Sequence, residues 1–204
     1  MGGMTTTVRF LQEENQRLQD RTRELEEENE YLRDCLKALR ALLCALSRPD
    51  ADEDIPGLLH RIIYEVLRVV DAEDGSLSLI DHETQELVFV VVHGALQERL
   101  QGYRLPLGTG VAGWVAANQE PVIANDIHHE ERFSTLVDEA FGFRTQSLAA
   151  VPLISRGQML GVIEVVNKFS GQPFGERDVD VLTMLGAIAA TAIDLAGLHG
   201  QESS

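Results

Sequence analysis

Cysteine is scarce in this 204-residue chain: Cys35 and Cys44 are its two thiols. Two cysteines build neither a disulfide framework nor a four-cysteine zinc site. Aromatic residues make up 5%, with Trp114 the single tryptophan. Basic charge is also in short supply, with 17 Lys+Arg against 33 Asp+Glu and a formal net charge of -16. A surface this acidic repels phosphate backbones, which excludes nucleic acid as an expected partner. No apolar run approaches the ~20 residues that a membrane helix needs, so no membrane partner is expected. The N-terminus, MGGMTTTVRFLQEEN, lacks an apolar signal core. The expected location is therefore cytoplasmic. No G-x-S-x-G, P-loop or H-E-x-x-H pattern occurs, and acids and histidines are scattered without catalytic spacing. The expectation is a protein that is not an enzyme, with no catalytic residues and no metal site.

What is present is unevenly distributed. Residues 1–50 carry eight Lys/Arg and ten Asp/Glu, whereas residues 51–204 carry nine and 23. The first segment has no glycine after Gly3 and no proline before Pro49. Pro49 disfavours the helical region for Arg48, so a helix should stop there. The expected division is a coiled coil over 5–47, a linker over 48–53, a second domain over 54–198 and a disordered tail over 199–204.

Leucine recurs every seventh residue at Leu11, Leu18, Leu25, Leu32, Leu39 and Leu46. With these at heptad position d, position a holds Val8, Asn15, Thr22, Asn29, Leu36 and Leu43. A narrow seam of this period, with charged flanks, predicts a left-handed coiled coil roughly 60 Å long. A single amphipathic helix would show a wider apolar stripe. Asn15 and Asn29 each find a partner in their own copy across a parallel pair and are unsatisfied in most other registers, so they select a parallel homodimer. Between strands, Arg21 would face Glu26 and Glu28 would face Arg33. Such exposed pairs contribute only about 0.3–0.5 kcal/mol each and choose the partner more than they stabilise it. Cys35 at position g can be read as a redox-sensitive interchain link or as an ordinary reduced thiol; a reducing cytosol favours the second.

The second segment alternates helix and strand. Ile55, Leu58, Leu59, Ile62, Ile63, Val66, Leu67 and Val70 recur at helical spacing, and Asp71–Gly75 reads as a break. Ser76–Ile80 and Leu87–Val92 form a hairpin around the turn Asp81–Gln85. A glycine-punctuated loop, Leu105–Gly110, leads into a short helix over Val111–Asn118, where Ala112-Gly113 permits close packing. Pro121–Ala124 is a short strand, and 127–146 a polar region with a helical turn or two. Gln146–Ile154 and Gln158–Val166 are strong β runs joined tightly by Ser155-Arg156-Gly157. A last helix runs from about Gly175 to Leu198. The fold class is α+β, an antiparallel sheet with helices on one face and a loop cap on the other.

These residues resemble the GAF domain, a sensory fold related to PAS domains. The resemblance is carried by Leu107-Gly108-Thr109-Gly110-Val111-Ala112-Gly113-Trp114-Val115-Ala116, then Pro121–Asp126, Arg132-Phe133, Gly142–Thr145 and Leu148–Val166. It covers residues 54–198. Part of it is similar to the cyclic-nucleotide-binding GAF domains of phosphodiesterases. Asn167, Lys168, Phe174 and Asp178 match four positions of their N-K-x(n)-F-x3-D-E motif, with Val179 in place of the final glutamate. The resemblance implies a Lys168–Asp178 pair, which can serve as a structural clasp with no ligand.

By motif position, the resemblance implies ligand contacts at Asp138, Thr145 and Glu164, and at the helix N-terminus formed by Val111 and Ala112, whose N–H groups can receive a phosphate. Ser76 or Ser78 can face the same pocket from the first strand. Two departures count against a cyclic nucleotide: Phe141 replaces a threonine, and Val92-His93 replaces a frequent Phe-Asp. Each residue also has a plain reading. Asp138 can be a cap or a solvated acid, Thr145 a strand start, Trp114 core, and Glu164 a solvent-facing acid on a period-2 strand. His128-His129 on a loop reads as exposed polarity, and His93 as a weak candidate for haem. The cofactor stays unassigned: cyclic nucleotide is open, while a covalent bilin is disfavoured because no cysteine follows Cys44. The same lack disfavours the methionine sulfoxide reductase chemistry found on this fold.

The resulting expectation is a signal-transduction protein. Two sensory domains are joined side by side by the coiled coil, bind a small molecule, and act through an unidentified output protein. Residues 1–204 contain no kinase, cyclase or helix-turn-helix pattern, so the chain acts through a partner or is a fragment of a longer one. A ligand-free module for dimerisation and docking is the alternative.

Overall fold

In a computed structural model the described residues are 2–47, 55–195 and 197. The expected linker (48–53) and tail (199–204) lie outside them. The chain forms two compact units, residues 1–37 and 38–204.

Helix α1 spans Gly2–Ser47. Its interior contains no proline, and ion pairs one turn apart run along its surface, Arg9 to Glu13 at 3.0 Å and Arg21 to Glu24 at 3.1 Å. Such exposed pairs add little individually. Leu11, Leu18, Leu25 and Leu32 are all exposed, as are Asn15 and Asn29, and Leu39 is half-buried. An isolated helix of this composition leaves a whole apolar stripe in water. Cys35 is buried.

The second unit is built on a six-stranded antiparallel sheet in the order β3-β2-β1-β6-β5-β4. Its elements are α2 (Ile55–Val70), β1 (Ala72–Asp81), β2 (Glu86–His93), α3 (Gln97–Leu100), β3 (Arg104–Pro106), α4 (Gly110–Asn118), β4 (Val122–Ala124), a 3-10 turn at Ile127–His129, α5 (Leu136–Phe141), β5 (Leu148–Ser155), β6 (Gln158–Lys168) and α6 (Glu176–Leu195).

Strand β6 is central and pairs with both β1 and β5. It meets β5 through a two-residue turn in which Arg156 and Gly157 both have positive φ, 49° and 79°. That is the hairpin geometry whose twist matches the strands. Helices α2 and α6 pack on one face, where Ile62, Ile63, Val66, Leu153, Ile163, Leu182 and Leu185 are fully or almost fully buried. The stripe Gly186, Ala189 and Ala190 lets α6 lie close to the sheet, with Gly186 against Leu153, Val151 and Ile163.

The opposite face carries the cap. Helix α4 packs there on β5 and β6 through Val111, Val115 and Ala116, against Leu148, Ala150 and Val162. Gly113 is required for this approach: a Cβ there would sit 2.8 Å from the Gly108 backbone nitrogen.

Three elements differ from the sequence-based expectation. Strand β1 begins at Ala72, within the segment read as a break, because Ala72, Asp74 and Gly75 pair with Lys168, Val166 and Val165 of β6. The break contracts to Asp71, which has a φ of 58°. Helix α3 and strand β3 lie in stretches read as polar or loop. Strand β3 exists through pairing of Leu105 with Leu87, a partner 18 residues away that no local pattern reports.

Candidate functional site

Between the sheet and the cap lies a cavity of about 80 Å³. Its floor is Asp74, Gly75 and Ser76 of β1 with Glu164 and Val166 of β6. Phe89, Val92 and His93 of β2 form one wall, and Gly110, Val111 and Ala112 of α4 another. Phe133, Ser134, Val137, Asp138, Phe143 and Thr145 close it from the cap. An apolar cavity of about 150 Å³ holds benzene, so this shape admits a few waters or a small group. A nucleotide would need the cap to move outward.

Strand pairing decides which side chains reach the cavity. Ser76 stands opposite Glu164, and Ser78 opposite Val162. Both serines face the cap side, but Ser78 lies one step further along and is absent from the cavity lining. It is buried with its hydroxyl 3.5 Å from the Val162 carbonyl oxygen. Of the two serines expected at the pocket, Ser76 lines it and Ser78 does not.

Asp138 is tied down within the cap. Its two carboxylate oxygens accept hydrogen bonds from the backbone N–H of Thr145 at 2.9 Å and from the Thr145 hydroxyl at 2.8 Å. This links the first turns of α5 to the approach to β5. The far end of α5 is held by Arg99, which donates to the Phe141 carbonyl at 2.8 Å and lies over its ring. Phe141 packs edge-on to Tyr103 and is outside the cavity. A second tie holds the cap to α4: Arg132 lies 4.7 Å from the centre of the Trp114 ring while bonding Glu130 at 2.7 Å.

Glu164 is the anomalous group. Its side chain is part-buried and lines the cavity. Loss of hydration, and then the charge of Asp138, push its carboxyl up to about 7. Among the described residues no hydrogen bond or ion pair satisfies it. Val111 and Ala112 lie in the first turn of α4, where backbone N–H groups lack helical acceptors.

The proposed clasp residues come together elsewhere. Lys168 Nζ lies 2.8 Å from Asp178 Oδ2, both largely buried, and 5.2 Å from the centre of the Phe174 ring. Asp178 also accepts from the Gly175 N–H at 2.8 Å and so holds the start of α6. Asn167, at a φ of 54°, accepts from the Gln146 N–H and donates to the Arg144 carbonyl. Asn125, which stood in the motif without a role, exchanges two hydrogen bonds with the Phe174 backbone. Sequence reading assigns no site role to Asp74 and Phe89, which lie on the cavity lining. Phe133 and Phe143 stood in the motif but were given no role.

His129 bonds Asp126 at 2.7 Å on the surface. Among the described residues no group of three or more His, Cys, Asp or Glu is placed to hold a metal. Nor is any helix there long and apolar enough to cross a membrane.

The family model described as GAF domain matches residues 54–193. Among curated relatives, the dual 3',5'-cyclic-AMP and -GMP phosphodiesterase 11A of Takifugu rubripes is 34% identical over 157 residues, 72% of this chain and 17% of that protein. The corresponding phosphodiesterase 11 of Drosophila melanogaster is 32% identical over 144 residues, 64% and 10% of the two chains. The chain thus spans less than a fifth of the length of either relative. Among solved structures, the GAF domain of a phosphoenolpyruvate-protein phosphotransferase from Coxiella burnetii aligns with a TM-score of 0.71 at 21% identity, over 81% of this chain and 95% of that one. A free methionine-R-sulfoxide reductase from Neisseria meningitidis aligns with a TM-score of 0.64 at 21% identity, over 82% and 90%. At such identities these structures share the fold.

Proposed function

This chain belongs to the GAF domain family, a family of regulatory and sensory domains, and on that premise we propose that it is a small-molecule sensor without catalytic activity of its own. The cavity binds the ligand. The heptad face of α1 joins two copies in parallel, and an unidentified output protein reads the result in the cytoplasm. The observation that carries this reading is Glu164, a part-buried carboxyl on the cavity without a partner, beside Ser76 and the Asp138–Thr145 pair. A buried polar group left unsatisfied is costly, and a ligand that fills the cavity removes the cost. Cyclic AMP and cyclic GMP are part of the names of the phosphodiesterase relatives. Together with the positions of Val111, Ala112, Asp138, Thr145 and Glu164, this makes them the first ligands to try.

Native mass spectrometry of the purified chain, followed by denaturation, tests the ligand and the dimer together. A dimer of about twice 22.5 kDa carrying releasable mass supports the sensor. Thermal melts with cyclic AMP and cyclic GMP follow. A second reading, a ligand-free docking module, is favoured by the small volume of the cavity. Bare mass, with no ligand shifting the melt, would establish it in place of the sensor.

A further inference from the structure

The charge on the cavity wall is one-sided. Asp74, Asp138 and Glu164 border the cavity, and none of its lining residues is a lysine or arginine. Asp74 is engaged with the protein, accepting from the Ala95 N–H at 2.6 Å. Asp138 is engaged by Thr145 through both oxygens. Glu164 alone of the three has no protein donor. When Glu164 is ionised, a partner that satisfies it must donate a hydrogen bond, and a positive partner also balances its charge. A second carboxylate nearby multiplies the preference: a cation is attracted by both acids, and an anion is opposed by both, in surroundings that screen charge weakly.

We propose that this cavity takes a small organic cation, with an amidinium, guanidinium or ammonium nitrogen donating to Glu164 beside the Asp138–Thr145 pair. The proposal rests on the reading of the cavity as a ligand site. A head group of this size suits about 80 Å³, and a larger remainder would pass out through the mouth.

Binding of a cation is then coupled to the proton on Glu164. The charged groups that face it are Asp74 from β1, His93 from β2 and Asp138 from α5; α4 and β5 present none to the cavity. Raising the pH ionises Glu164, and that change favours a cation. With the Glu164 carboxyl at about 7, its ionised fraction rises roughly eightfold between pH 6.0 and 7.5.

The test is NMR titration of the full chain with methylguanidinium chloride, observing the amides of Ser76, Val111, Ala112 and Thr145 at constant ionic strength. Sodium dimethyl phosphate and cyclic GMP are titrated in parallel. Saturable shifts with methylguanidinium are expected, roughly eightfold tighter at pH 7.5 than at pH 6.0. Glu164→Gln should abolish both binding and the pH dependence while keeping a dispersed native spectrum. Methylguanidinium binding that ignores pH and E164Q would overturn the proposal. So would saturation of these amides by either anion when the cation leaves them unmoved, which would leave the sensor reading intact. If none of the three probes moves them, the cation proposal and the ligand site fail together.

Discussion

Asp138 grips Thr145 twice, through its backbone N–H at 2.9 Å and its hydroxyl at 2.8 Å. One carboxylate thereby closes the 138–145 segment that carries Phe143 over the cavity, and it also places a negative charge near Glu164. The same side chain shapes the cap and sets the electrostatics beneath it.

Removing that charge should therefore show at a distance. In Asp138→Asn the Glu164 carboxyl should titrate lower than about 7. It should stay above the ordinary carboxylate range, because desolvation is the larger cause. Carbon-13 NMR of the Glu164 carboxyl against pH reads this directly. An unchanged midpoint would mean that Asp138 does not act on Glu164.

Glu164 also gives stability a pH dependence of definite sign. Its native carboxyl is raised from 4.5 to about 7, so between these values the native state holds a proton that the unfolded chain has released. Its contribution to stability is fully present below about pH 4.5 and is lost as pH rises through about 7. Glu164→Gln should remove this loss and stabilise the protein by about 1–3 kcal/mol at pH 8, with little gain at pH 4.5. Urea unfolding at the two pH values measures it; equal gains at both would contradict the sign.

The Lys168–Asp178 pair is largely buried at 2.8 Å, so breaking one side leaves an uncompensated charge. Lys168→Met should cost about 3–5 kcal/mol. Adding Asp178→Asn should recover part of the loss, since the stranded charge is then gone. Chemical denaturation of the single and double variants gives the coupling; additive losses would show that the two side chains act independently.

On α1, Leu18, Leu25 and Leu32 are about half exposed or more, at 59%, 48% and 54%. If a second copy covers them, changing all three to Ala should convert a dimer to a monomer. Asn15→Val with Asn29→Val should keep association but relax its specificity toward higher oligomers. Light scattering after size exclusion distinguishes these results. A wild-type monomer at micromolar concentration would remove the heptad's proposed role.

Elements with a strong period were legible. Helix α2 reads from eight apolar residues at helical spacing, and the β5–β6 hairpin from Arg156-Gly157 between two apolar runs. Helix α3 and strand β3, of four and three residues, are too short to show any period. The candidate site was legible in part. Motif positions pointed to Val111, Ala112, Asp138, Thr145 and Glu164, all of which line the cavity. Asp74 was hidden because its segment read as a break, and Asn125 because its partner, Phe174, lies 49 residues away.

The order of the longer elements and the heptad of α1 were determined by the sequence alone, since period and turn chemistry act within a few residues. The tertiary structure decided the rest. Pairing with β6 extended β1 back to Ala72, placed Ser76 on the cavity and left Ser78 beyond it. It also turned Glu164, which an alternating strand allows on either face, toward the cavity next to Asp138. Register and enclosure arise between segments far apart in the chain, and the ionisation of Glu164 follows from both.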